Sequence, residues 1–149
     1  MTTYEIHALD PGLLDEVRRS GTTVEHVEAR GGEPLRCCLR DATPGERMIL
    51  FNHEPVLPAP SPYREVGAVY AHAEPCDGAR PSEYPTDWYG RPQVLRAYDE
   101  RGWIHPATRT HDGTDPVGQI KAVLDHPGVV EIHSRNIAYG CFMFSVTRR

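Results

Sequence analysis

The stretch "VGAVYAHAEPC", residues 66–76, decides how this chain is read. An unbroken apolar run from Val66 to Ala71 stops at His72, with Glu74 and Cys76 close behind. A short continuous run containing valine and tyrosine marks a strand covered on both faces rather than one face of a helix. "MILF" at 48–51 has the same character. By contrast, "YEIHAL" (4–9) and "VVEIHS" (129–134) alternate apolar and polar residues, as half-buried strands do.

Working outward, strands are expected at 3–8, 23–29, 47–51, 66–72, 94–98, 103–107, 129–134 and 141–147. "YDERGW" (98–103) reads as a tight hairpin turn, and "SRNIAYG" (134–140) as a longer one with Asn136 and Gly140 available for positive φ. Two segments read as helices, and both start with an Asp-Pro pair. Asp10 and Pro11 precede an apolar stripe of Leu13, Leu14 and Val17 that ends at Gly21; Asp115 and Pro116 precede Val117, Ile120, Val123 and Leu124, with Pro127-Gly128 as the stop. The expected class is α+β: a mainly antiparallel sheet of about eight strands with two helices, in a single domain over 1–149. Two loops stand apart. "HEPVLPAPSPY" (53–63) has the composition of a polyproline II bridge, and "DGARPSEYPTDWYGRP" (77–92) carries Tyr84, Trp88 and Tyr89, aromatics suited to covering a sheet edge.

Composition narrows the function classes. With 21 acidic against 16 basic residues the net charge is −5, and no basic run exists to neutralise phosphates, so a nucleic-acid partner is not expected. Lys121 is the only lysine, which leaves Schiff-base chemistry without a suitable amine. The arginine, proline and glycine usage is that of a GC-rich bacterial genome. No apolar run approaches the ~18 residues of a membrane span, and "MTTYEIHALDPG" lacks the form of a secretory signal. A cytoplasmic protein with reduced cysteines and no membrane partner is expected.

The groups able to carry chemistry cluster at strand ends. "HAEPC" spaces His72 and Cys76 four apart, "EIHSRN" sets Glu131, His133 and Arg135 on one strand face, and "RCCLRD" does the same for Arg36, Cys38 and Arg40. On a strand Cys37 and Cys38 would point to opposite faces and could not share an ion. No C-x2-C pair occurs, so neither metal nor cofactor is expected, and the cysteines read as small core hydrophobes.

Three stretches, "RCCLRDATPGERMIL", "PSPYREVGAVYAHAEPC" and "HSRNIAYGCFMFSV", resemble in content and order those of domain-of-unknown-function family 1203, a group of small bacterial proteins. The resemblance covers most of the chain from Arg36 onward. The matching positions are Cys38, Arg40, Asp41, Pro62, Tyr63 and His72 in the first two stretches, then Glu74, Cys76, Arg135, Asn136, Cys141 and Phe142. Leu35 stands where the family pattern has the first cysteine of C-x2-C-L-R-D. The resemblance implies which residues sit together, and no activity.

The functional expectation is one polar patch where the three stretches meet, beside a pocket roofed by the proline loop and Trp88. There His72 acts as acid or base, with Cys76 and His133 as further catalytic candidates. Arg40 and Arg135 bind a small anionic molecule, with Tyr63, Glu74, Trp88 and Asn136 around it. The alternative is a non-catalytic domain, either a partner-binding module or one stabilised by zinc on Cys38, His72, Cys76 and Cys141. Whether the protein is an enzyme, and its oligomeric state, stay open at this level.

Overall fold

The computed structural model describes residues 2–20 and 24–149. Gly21, the expected helix stop, and Thr23, the expected start of a strand, lie outside the described residues. Ten strands form among the rest: β1 (Tyr4–His7), β2 (Val24–Glu28), β3 (Pro34–Leu35), β4 (Arg40–Asp41), β5 (Arg47–His53), β6 (Gly67–His72), β7 (Gln93–Tyr98), β8 (Arg109–His111), β9 (Glu131–Asn136) and β10 (Phe142–Arg148). The helices are α1 (Pro11–Ser20) and α2 (Pro116–Leu124). The Asp-Pro starts work as their chemistry requires. Asp10 Oδ2 accepts from the Leu13 amide at 3.1 Å and Asp115 Oδ1 from the Gly118 amide at 3.1 Å. Leu14 of α1 and Ile120, Val123 and Leu124 of α2 are buried.

The α+β class holds, but the strands divide into two sheets of five rather than one of about eight. One runs β1-β10-β9-β7-β8 and is antiparallel throughout; the other runs β2-β5-β6-β3-β4, with β3 and β6 parallel. With only two helices available, a second sheet covers apolar strand surface that one sheet would leave wet. β5 and β6 take interior places in their sheet. The alternating "VVEIHS" pattern misleads: Ile132, His133, Ser134 and Arg135 of β9 are all buried, because this strand lies between β10 and β7 and its polar face is covered too. The strand expected at 103–107 shrinks to a bridge between Tyr98 and Ile104, and pairing resumes at β8. In the β9–β10 turn Gly140 adopts φ +73°, while Asn136 keeps an ordinary strand conformation.

The two cores exchange side chains across a seam. Leu39, from the β3–β4 turn, packs into the first sheet's core, and Phe142, at the start of β10, packs into the second's. Trp88 is fully buried and stacks on Phe144, while its indole N–H donates to Asp41 Oδ1 at 2.9 Å. Arg91 clamps the same carboxylate with bonds of 3.1 and 2.7 Å. Trp88 is therefore a core residue and reaches no ligand, which corrects its expected place on a pocket roof. The proline loop lies elsewhere as well. Ser61 Oγ donates to the Gly102 carbonyl at 2.8 Å, and Tyr63 packs edge-on against Trp103. At Gly102 (φ +78°) a Cβ would meet the Ala59 carbonyl at 2.5 Å, so this contact needs glycine.

His53 and Phe142 meet at the seam with ring centroids 5.5 Å apart. Burial, then the nearby His133 and Arg36, push the His53 imidazole down to about 4, against a smaller opposing pull from Glu54.

This packing can be tested at two residues. Trp88→Ala removes the shared anchor and should cost about 3–5 kcal/mol in a urea titration, against under ~0.5 kcal/mol for Glu100→Ala at an exposed turn. For His53, the unfolded chain binds a proton near 6.5 and the folded chain only near 4. Stability should therefore fall by about 3 kcal/mol as pH drops through that window, with no further loss from this group below it. His53→Gln should flatten that part of the stability profile.

Candidate metal centre

The segment after β3 does not continue as a strand. Residues 36–39 turn, closed by the Leu39 amide donating to the Leu35 carbonyl at 2.9 Å, and Leu39 takes φ +57°. A non-glycine residue in that region costs about 1 kcal/mol or more and needs surroundings that hold it; here the Leu39 side chain is buried in the first core. The turn removes the strand alternation that would send the two thiols to opposite faces. Cys37 and Cys38 face the same point, with their sulfurs 3.9 Å apart.

His72, the last residue of β6, completes the arrangement. Its Nδ1 lies 3.3 Å from Cys37 Sγ and 3.8 Å from Cys38 Sγ, and its backbone amide donates to Cys37 Sγ at 3.3 Å. Cys76 arrives from the loop beyond β6, and one ligand atom from each of Cys37, Cys38, His72 and Cys76 lies within 4.8 Å of every other. Burial is graded: Cys37 is buried, Cys38 and His72 are half-buried, and Cys76 is exposed. Arg18 of α1 anchors the loop by donating to the carbonyls of His72 (3.0 Å) and Glu74 (3.4 Å).

The other imidazole nitrogen is equally committed. His72 Nε2 stands 2.8 Å from Glu46 Oε2, and Arg40 grips that carboxylate in a fork with two bonds of 2.8 Å. The Thr43 amide and hydroxyl also donate to Glu46 Oε1. Chiefly through Arg40, Glu46 is held well below the usual carboxylate range. In the His72 tautomer with its proton on Nε2, Glu46 accepts that hydrogen bond and the Nδ1 lone pair faces the sulfurs. Among the sulfurs, Cys37 is pulled down to about 5, first by the Cys38 S–H donating to it, against the opposing effect of burial. Cys38 moves up in return, and burial raises Cys76.

This geometry brings together Arg40, His72 and Cys76 of the expected site, but not the others. Arg135 donates to the Gly140 carbonyl at 2.8 Å and pairs with Glu65 at 2.9 Å, in a cavity that contains neither Arg40 nor His72. His133 is 1% exposed and sits 2.5 Å from Glu131, its ring between Tyr98 and Phe142, so it meets no solvent-borne substrate. Asn136 stays in β9, its amide bonded to the Cys141 carbonyl. Tyr63 belongs to the proline loop, and Glu74 contributes its carbonyl to Arg18. Cys141 lies in the β9–β10 turn beside Arg135, so the fourth member of the sulfur cluster is Cys37 in its place.

Two participants, Cys37 and Glu46, are absent from the site expected on sequence grounds. For Cys37 the signal is the adjacent pair itself, which can serve one ion only where the chain leaves the extended form. Glu46 carries no signal, being one of 21 acidic residues.

Among the described residues, no helix is long and apolar enough to cross a membrane. No curated protein and no solved structure matches the chain. The family model described as "Protein of unknown function (DUF1203)" matches residues 32–148 and so takes in every residue of the cluster, and the chain belongs to that family.

Proposed function

We propose that Cys37, Cys38, His72 and Cys76 hold one zinc ion and that the domain is metal-stabilised rather than catalytic at this point. The observation that carries this reading is that Cys37, Cys38 and His72 are spaced as one face of a tetrahedron, with the Cys76 sulfur within 4.8 Å of each. Zinc bonds of about 2.3 Å to sulfur and 2.0–2.1 Å to nitrogen imply ligand–ligand edges of about 3.8 Å (S–S) and 3.5 Å (S–N). The corresponding separations are 3.9 Å between the Cys37 and Cys38 sulfurs, and 3.3 and 3.8 Å from them to His72 Nδ1.

Three thiols and an imidazole suit zinc among the abundant divalent ions, because soft sulfur donors disfavour magnesium and calcium. Four protein ligands leave no open position for a substrate or an activated water, which is the pattern of structural zinc. The second layer supports the assignment: carboxylate, imidazole and ligand pocket lie in line, as at histidine-bearing metal sites. The same facts weigh against His72 as an acid or base, since neither of its nitrogens is left to face a substrate. An ion here would fasten the 36–39 turn and the Cys76 loop to the end of β6.

Native mass spectrometry of the full chain, purified without chelator and supplied with zinc, should give one zinc per chain. Chelation should lower the melting temperature, since an ion at ~1,000 times its Kd adds about 4 kcal/mol to stability. A chain that takes up no zinc, with a melting temperature indifferent to zinc and chelator, would refute the assignment. Cys37→Ser should lose the ion and Cys141→Ser should keep it, which separates the observed ligand set from the expected one. Glu46→Ala should keep zinc in the mass spectrum but weaken its affinity about 10- to 100-fold in competition with a chromogenic chelator.

A further inference from the structure

A second polar cluster lies apart from the proposed zinc ligands. A cavity of about 280 Å³ opens between the end of β5, the start of β6 and the β9–β10 turn. His53, Glu65, Arg135 and Cys141 line one part, and Val69 and Phe142 supply apolar wall.

Arg135 lines this cavity and is incompletely satisfied: its Nε is buried with no hydrogen-bond partner among the described residues. Glu65 alone answers two guanidinium groups, Arg135 at 2.9 Å and Arg96 at 3.0 Å. Behind Phe142 lies Arg36, only 2% exposed, whose Nε donates to the Phe142 carbonyl at 2.7 Å and whose Nη1 donates to the Pro34 carbonyl. Among the described residues no carboxylate comes within ion-pair distance of Arg36. Glu54, beside His53 in the chain, is taken by Arg64 through bonds of 2.7 and 3.0 Å. Arg135 thus shares its one carboxylate with Arg96, while Arg36 stands outside the cavity lining. Arg36 and Arg135 are both more than nine-tenths buried, and charge removed from water calls for a counter-charge. The His53 ring, also buried, makes no hydrogen bond to protein among the described residues, so it is free to meet a ligand.

We infer that this cavity binds a small organic carboxylate, with its oxyanion at Arg135 and His53 and a short hydrocarbon body against Val69 and Phe142. With both Nη atoms of Arg135 engaged, its Nε–H is the charged donor left without a partner, and an oxyanion accepts strongly from such a group. The volume lies at the lower edge of ordinary ligand sites and admits a compact molecule. The apolar wall distinguishes such a ligand from a bare inorganic ion. Nothing in this assignment depends on zinc, because none of the four proposed metal ligands lines the cavity.

The test is calorimetric titration of the zinc-supplemented full chain near pH 6 with butyrate, 1-butanol and inorganic phosphate. Butyrate should saturate one site per chain, butanol should give no saturable heat, and phosphate should bind at least tenfold more weakly than butyrate. Arg135→Gln should weaken butyrate at least tenfold. A second variant guards against misfolding: a Cβ at Gly67, on the cavity rim, meets nothing within 4 Å, so Gly67→Leu is sterically tolerated and should obstruct entry. The inference is overturned if butyrate does not saturate, if phosphate binds as tightly, or if a folded Arg135→Gln chain binds butyrate as the parent does.

Discussion

A buried guanidinium holds this molecule together at its seam. Arg36 reaches across from the second sheet to the Phe142 carbonyl at the start of β10, while its own amide bonds to Tyr70 of β6 and its carbonyl receives the Leu9 amide. One residue thereby joins the start of α1, the middle of β6 and the first sheet. Its burial without a carboxylate is costly in isolation, and carbonyl acceptors only partly offset the lost hydration. That cost is accepted where the tie fixes relative position, because non-directional apolar packing would let two sheets slide.

The residues immediately after Arg36 place the chemically active groups of the protein. Cys37, Cys38 and Leu39 cannot stay extended once Arg36 is pinned and Leu39 is drawn into the other core. The chain turns, and two adjacent thiols come to one side, opposite the end of β6. Past the turn, Arg40 and Asp41 enter separate polar clamps, Arg40 with Glu46 and Asp41 with Trp88 and Arg91. The proposed zinc centre follows Arg36 in the chain, and the Arg135 cavity is walled by Phe142, the residue whose carbonyl Arg36 holds.

The parts of the fold legible in the chain are those governed by neighbours in sequence. Both helix starts follow from Asp-Pro pairs, since a capping carboxylate and a pre-set φ act within a few residues. β5 and β6 follow from unbroken apolar runs. His72 and Cys76 stand out because a strand ends abruptly in metal-binding side chains. The mismatches share a cause as well. In β9 the alternation suggests half-burial because it reports side-chain type, while the strand's polar face is covered by partners distant in the chain. Trp88 looks like a ligand contact because an aromatic in a loop reads the same whether it roofs a pocket or fills a core.

By itself the sequence determined the α+β class, the two helices, the central apolar strands and family membership, all of which rest on local pattern. Only the tertiary structure decided that the strands form two sheets, that Cys37 joins Cys38 and that Glu46 backs His72. It also moved Arg135 to a cavity of its own, away from Arg40. The reason is physical: each of these rests on contacts between segments distant in the chain, and the pairing of the thiols rests on the path at 36–39, where a residue with positive φ is held by packing into the other sheet's core. No local preference encodes that path, because in isolation leucine avoids it.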